Sequence, residues 1–192
     1  MNQFLSEAGR ILASPTGATT ALQRVARAAV PDAADFCLIF IARHNELACV
    51  ACAHATPEGE RLLRRLNRVY KVTRNDPLST VAYVVRTGRA KLRSAIADEG
   101  AQPEIGLRVF TLHHRLGVRS ALVVPIGDAP NVLGAVSLSF AASGRRYTTQ
   151  HVRAARRLAG LVASFLRKRP PRAEAATVHV GVRRPIRLRA RV

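Results

Sequence analysis

Cys49 and Cys52 carry the C-x-x-C spacing that binds zinc or exchanges a disulfide in other proteins. They lie in Leu47–His54, LACVACAH, an apolar run beside a His44-Asn45-Glu46 turn that predicts a strand. Side chains of a regular strand alternate, so residues three apart point to opposite faces. Two sulfurs so placed cannot share one metal ion or close a strain-free disulfide. No second pair of cysteines completes a zinc site, and Cys37 belongs to another predicted strand. The spacing therefore predicts three buried structural thiols, free cysteine being among the most buried residue types. No catalytic and no metal-ligating residue is assigned.

Histidine offers two further candidates. His54 closes the second predicted strand, and its imidazole suits haem or non-haem iron as well as a plain hydrogen bond. His113 and His114 are adjacent in a predicted helix, about 100° apart, which does not favour a shared small ion. Arg61, Arg64, Arg65, Arg68, Lys71 and Arg74 line the third predicted helix and its exit. Such a row suits an anionic ligand, a nucleotide or carboxylate, or else forms a solvated face. Ser137 and Ser139 alternate with Val136, Leu138 and Phe140, supplying either polar groups to a pocket or small residues beneath a helix.

These residues are positioned by elements readable from periodicity. Phe4, Leu5, Ala8, Ile11 and Leu12 predict a helix that stops near Pro15. Leu22, Val25, Ala26 and Ala29 predict a second, ending before Pro31. Asp35–Arg43 is a strand apolar on both sides, Phe36/Leu38/Phe40 and Cys37/Ile39/Ile41, and so must be covered on both. Helices are predicted over Pro57–Tyr70 and Leu78–Thr87, the latter stopped by Gly88. A short strand near Ala90–Arg93 and a helix over Glu104–Leu116 follow. The runs LGVRSALVVPI and VLGAVSLSF, joined by GDAPN, predict an antiparallel pair opening at Leu116. Thr148 is a suitable N-cap for a final helix reaching Arg169. That helix carries one stripe of Val152, Ala155, Ala159, Val162 and Leu166, and another of Leu158, Leu161 and Phe165. The first stripe suits the domain's own sheet. The second is expected to meet a second subunit, or else the N-terminal helix.

The 192 residues, 48% hydrophobic, suffice for one domain with one good core. No apolar run approaches the roughly 18–20 residues of a membrane span. The opening MNQFLSEAGRIL lacks the pattern of a signal peptide, and a cytoplasmic location is expected. The net charge is +19, of which residues 167–192, with nine Lys/Arg and one Glu, hold +8. Residues 170–192, rich in Pro, Arg, Ala and Val, are expected to be a disordered basic tail. If nucleic acid is a partner, the contact is through this tail only, which lacks aromatic residues for base stacking and is equally open to being a vestigial remnant.

The motifs PDAADFCLIFI, TGRA, LGVRSALVVPI, VLGAVSLSF and SGRRYTTQHVRAARRLAGLVASFL, taken in order, resemble a GAF domain. The flavour is similar to GAF domains attached to bacterial histidine kinases and serine phosphatases. The resemblance implies an α+β fold over residues 1–169, a GAF/PAS-like central antiparallel sheet of five or six strands with helices on both faces. It further implies terminal helices on one face and a ligand pocket on the other, bordered here by Cys52, His54, Tyr70, Arg74 and Tyr83. Bilin-binding relatives carry a Cys and a His where this chain has Ile105 and Val109, so a bilin is disfavoured. The cyclic-nucleotide signature has no counterpart either. Relatives that reduce free methionine sulfoxide need loop cysteines, and Arg74–Ser79 contains none. The cofactor is left unknown.

The function so implied is a non-enzymatic sensor that binds a small molecule and relays its state through the terminal helices. The expected assembly is a homodimer through Leu158, Leu161 and Phe165. A histidine kinase or phosphatase of a two-component system is the expected partner. A basic-tailed nucleic-acid-associated dimer and a ligand-free protein–protein adaptor are the alternatives.

Overall fold

The computed structural model describes residues 2–96, 111 and 114–170. Within them lie α1 (Asn2–Ala13), α2 (Ala18–Ala28), β1 (Phe36–Arg43), β2 (Glu46–His54), α3 (Pro57–Val69) and α4 (Thr80–Thr87). They are followed by β3 (Lys91–Arg93), β4 (Ser120–Ile126), β5 (Gly134–Phe140) and α5 (Thr149–Lys168). The strands form one sheet in the order β2-β1-β5-β4-β3, every pairing antiparallel. This is the expected α+β architecture. Most of the helix predicted over Glu104–Leu116, His113 and the tail beyond Pro170 lie outside the described residues.

β1 decides the layering because it is apolar on both sides. Cys37, Ile39 and Ile41 join the large core that α1, α2 and α5 bury against the first face. Phe36, Leu38 and Phe40 point the other way, into two smaller clusters beneath α3 and α4. α2 also shields the outer edge of β2. Gln23 binds both backbone groups of Cys52, donating from Nε2 to the carbonyl (2.6 Å) and accepting its N–H at Oε1 (3.2 Å). Arg27 donates to the His54 carbonyl at 3.1 Å. These contacts cover the Cys52–His54 end of the edge.

The hairpin departs from the alternation expected for it. Ile39 pairs with Ala51, but Phe40 pairs with Cys49, so Val50 is a bulged residue with no partner of its own. Val50 and Ala51 both contribute to the core of the first face. Cys49 and Cys52, opposite Phe40 and Leu38, share the second face. The expectation of opposed thiols fails because the period of two holds only in an unbulged strand.

Two further differences are local. β4 begins at Ser120 rather than Leu116, because Gly117 takes φ +59 and its N–H turns back to the His114 carbonyl. The cover over the second stripe of α5 is α1. Leu158 is fully buried and Phe165 is 6% exposed, in one core with Phe4, Leu5, Ala8, Ile11 and Leu12, whereas Leu161 is 39% exposed. Of the three residues expected to meet a second subunit, only Leu161 reaches the surface.

Candidate ligand-binding face

The second face of the sheet is floored by two rows of side chains fixed by strand register. One row runs Cys52, Leu38, Ser137, Val123, Lys91; the next runs His54, Phe36, Ser139, Ala121, Arg93. α3 lies over β2, and α4 lies over β4 and β5. Beneath α3, Leu63 packs with Phe36, Leu116 and Ala141. Beneath α4, Val81, Val84 and Val85 pack with Phe40, Val123 and Ala135. Leu38 touches both clusters yet stays half-buried although it sits on an interior strand. Leu38 thus lies between the two roof clusters, with Ser137 and Ser139 on the same face of the neighbouring strand. An apolar floor with a few polar groups is the usual make-up of a small-molecule site.

The five residues expected to border a pocket do not form one group. Cys52 is the cross-strand neighbour of Leu38, and Tyr70 packs on a cluster that Leu38 also touches. The Cys52 thiol is raised by burial, with Arg64 pulling it down and Glu60 pushing it up. His54 is held within the fold. Its ring stacks on Phe36 at 5.6 Å, Nδ1 accepts the Thr56 N–H at 2.9 Å, and Gly59 of α3 sits directly against it. A Cβ at Gly59 would overlap the imidazole, so the glycine is required by close approach rather than by a turn. Burial holds His54 below the usual histidine value, against the opposing pull of Asp35.

Tyr70 and Arg74 belong to the other end of β2. Thr73 bridges to Glu46, and the Arg74 N–H binds the Asn45 carbonyl at 2.9 Å. That end lies about 25 Å from His54 at the ~3.3 Å rise of a strand residue. The Tyr70 hydroxyl donates to Asp76, and burial followed by this carboxylate raises its pKa. Arg86 donates to the Arg74 carbonyl at 3.1 Å, while Arg74 Nε is buried without a hydrogen-bond partner. Tyr83 is 36% exposed, with Lys91 Nζ 5.3 Å from its ring centroid. The α3 arginines are exposed, and Arg64 pairs with Glu60 at 2.9 Å, one turn back along the helix.

Sequence reasoning missed two residues. Leu38 reads as one more strand leucine, because its exposure depends on the cover that α3 and α4 provide. Cys49 was placed on the wrong face; its Sγ accepts from Asn67 Nδ2 at 3.3 Å. Among the described residues no group of three or more His, Cys, Asp or Glu is placed to hold a metal ion.

The start of α5 is tied to the same sheet. Ser120 Oγ donates to the Arg93 carbonyl at 3.0 Å and accepts the Tyr147 N–H at 2.9 Å. Tyr147 is fully buried on Phe140 and donates to the Ala33 carbonyl at 2.7 Å. Next to it His151 Nδ1 accepts the Thr148 N–H at 3.0 Å, fixing the first turn of the helix.

Residues 16–167 match a family model described as GAF domain. No curated protein matches the sequence. Among solved structures, the GAF domain from a phosphoenolpyruvate-protein phosphotransferase of Coxiella burnetii is similar with a TM-score of 0.61 at 16% identity, over 86% of this chain and 92% of that one. Residues 122 to 287 of a methyl-accepting chemotaxis protein give 0.60 at 14% identity, over 84% and 94%. A type II free methionine-R-sulfoxide reductase from Thermoplasma acidophilum gives 0.54 at 12% identity, over 79% and 92%.

Proposed function

We propose that this chain, which belongs to the GAF domain family, binds a small molecule over Leu38 and Ser137 and relays its occupancy through α5 to a partner protein. GAF domains are generally small-molecule-binding, regulatory and non-catalytic. The observation that carries the reading is the half-buried Leu38 on an interior strand, between two separate roof clusters and beside Ser137 and Ser139. A small, largely apolar molecule with one hydrogen-bonding edge suits this floor.

The bonds from Ser120 to Arg93 and Tyr147 support the relay. A ligand that favours one position of β3 and β4 would shift the start of α5 with them, to the extent that it binds the two arrangements differently. A non-enzymatic role is favoured because all three cysteines lie in strands and none in the Arg74–Ser79 loop. The proposed assembly is a cytoplasmic homodimer that uses Leu161 in the groove formed by Leu5, Ser6, Gly9, Arg157 and Gly160. A kinase or phosphatase of a two-component system is the proposed partner class. Among the described residues no helix is long and apolar enough to cross a membrane.

Ser137→Trp tests the site by filling the floor between Leu38 and Val123. With circular dichroism unchanged, the variant is expected to lose any small molecule that co-purifies with the parent chain. Equal retention by both proteins would place the ligand elsewhere.

A further inference from the structure

The bulge at Val50 sets two thiols side by side, and we propose that Cys49 and Cys52 form a two-coordinate site for a soft monovalent ion, Cu(I). This inference rests on strand register and stands apart from the ligand reading above. The β1 partners of the two cysteines, Phe40 and Leu38, are two residues apart. At a rise of ~3.4 Å per residue, the two Cα atoms are then about 7 Å apart. A disulfide needs roughly 4.4–6.8 Å, so the pair stands at the upper limit of that range and would close only with strain.

A linear sulfur–metal–sulfur bridge is longer. At a thiolate–metal distance of about 2.3 Å, its sulfur atoms stand about 4.6 Å apart. Rotation about χ1 can turn two Sγ atoms on one face toward each other to that separation. Thiolate ligands select Cu(I) by softness, and two ligands complete a linear site. Zinc would require four, and no third His, Cys, Asp or Glu joins the pair among the described residues.

The surroundings act on the charge that forms. Binding converts two neutral thiols and one Cu(I) into a bis-thiolate complex of charge −1 and releases two protons. α3 runs back over β2, so that Asn67 Nδ2 meets Cys49 Sγ at 3.3 Å while Arg64 acts on Cys52 and Lys71 on Cys49. These three favour the anion, whereas burial of both sulfurs and Glu60 beside Cys52 oppose it. Because two protons leave on binding, affinity depends on pH. Cys49 is half-buried and gives the ion its way in. Cys37 faces the opposite core and cannot contribute.

The test is anaerobic titration of the reduced full-length chain with Cu(I) held by bicinchoninate. One Cu(I) per chain should transfer, with affinity rising as pH rises. Cys49→Ser, at the half-buried position, should abolish transfer, since one of only two ligands is lost, while a folded Cys37→Ser variant binds as the parent does. Independently of any variant, bound Cu(I) should protect Cys49 and Cys52 from alkylation in the parent chain. Failure of copper to transfer, equal loss in folded Cys37→Ser, or protection that omits either cysteine would overturn the proposal. Ready closure of a Cys49–Cys52 disulfide by diamide would overturn the spacing on which it rests.

Discussion

Arg145 Nη2 lies 3.2 Å from Asp35 Oδ1, a contact that joins the approach to β1 with the approach to α5. The other carboxylate oxygen accepts the N–H groups of Ala141 and Ser143 at 2.7 and 2.9 Å. Arg145 also donates to the carbonyls of Pro31 and Asp32 and lies over the Phe140 ring, 4.3 Å from its centroid. Asp35 is 5% exposed, so its removal strands two backbone donors. Asp35→Ala is expected to cost about 2–3 kcal/mol, measured by urea denaturation, with most of it due to the orphaned backbone groups. The ion pair itself adds little, because Arg145 is substantially exposed.

The same carboxylate sets an acid limit. Burial works to raise its pKa, but the hydrogen bonds from Ser143, Ala141 and Arg145 outweigh that and hold it below the ordinary 3.8. A carboxylate depressed in the folded state contributes stability that is complete above the unfolded value. The contribution is lost as pH falls through the folded value. Melting temperature should therefore drop as pH falls below about 4, the unfolded value, and Asp35→Asn should flatten that drop. An identical slope in the variant would remove Asp35 from the account.

His54 acts in a different window. Its folded pKa is held below 6.5 by burial, so the unfolded chain binds the proton more readily. Stability from this group is full above about 6.5 and declines as pH falls toward the folded value. Replacing His54 with Gln should level the pH dependence of stability between 5 and 6.5, an interval taken from the ordinary histidine range.

Gly59→Ala should destabilise the chain by about 1–3 kcal/mol through overlap with the His54 ring, although alanine is the better helix former by ~1 kcal/mol. Combining it with His54→Ala should recover most of the loss, a coupling that reads the contact directly. Additive losses in the double variant would mean that the two residues do not compete for one space.

Leu158 and Leu161, three residues apart on α5, should respond oppositely to Glu. Leu158→Glu buries a charge beneath α1 and should prevent folding. Leu161→Glu should leave stability within about 0.5 kcal/mol and convert the proposed dimer to a monomer in sedimentation. An unaltered sedimentation profile would exclude the Leu161 surface as the contact.

The terminal helices and β1 were legible because their patterns have one physical solution. Pro15 and Pro31 end α1 and α2, and a strand apolar on both sides demands two covering layers. The bulge was not, since in LACVACAH every residue up to His54 except Glu46 before it is small or apolar and alternation carries no facial information. Cys52 could be placed on the same face as His54 by counting back two residues within an unbulged stretch. The role of His54 depends on Gly59 across a turn, and that of Tyr70 and Arg74 on the Thr73 bridge to Glu46. Neither contact has a signature in local sequence.

The central claim is that the sheet face at Leu38 holds a small molecule, and native mass spectrometry of the freshly purified chain against its denatured mass tests it most directly. The account predicts a non-covalent adduct in the native spectrum that disappears on denaturation and is missing from Ser137→Trp. A native mass equal to the bare chain, unchanged after incubation with a cytosolic metabolite extract, would contradict it.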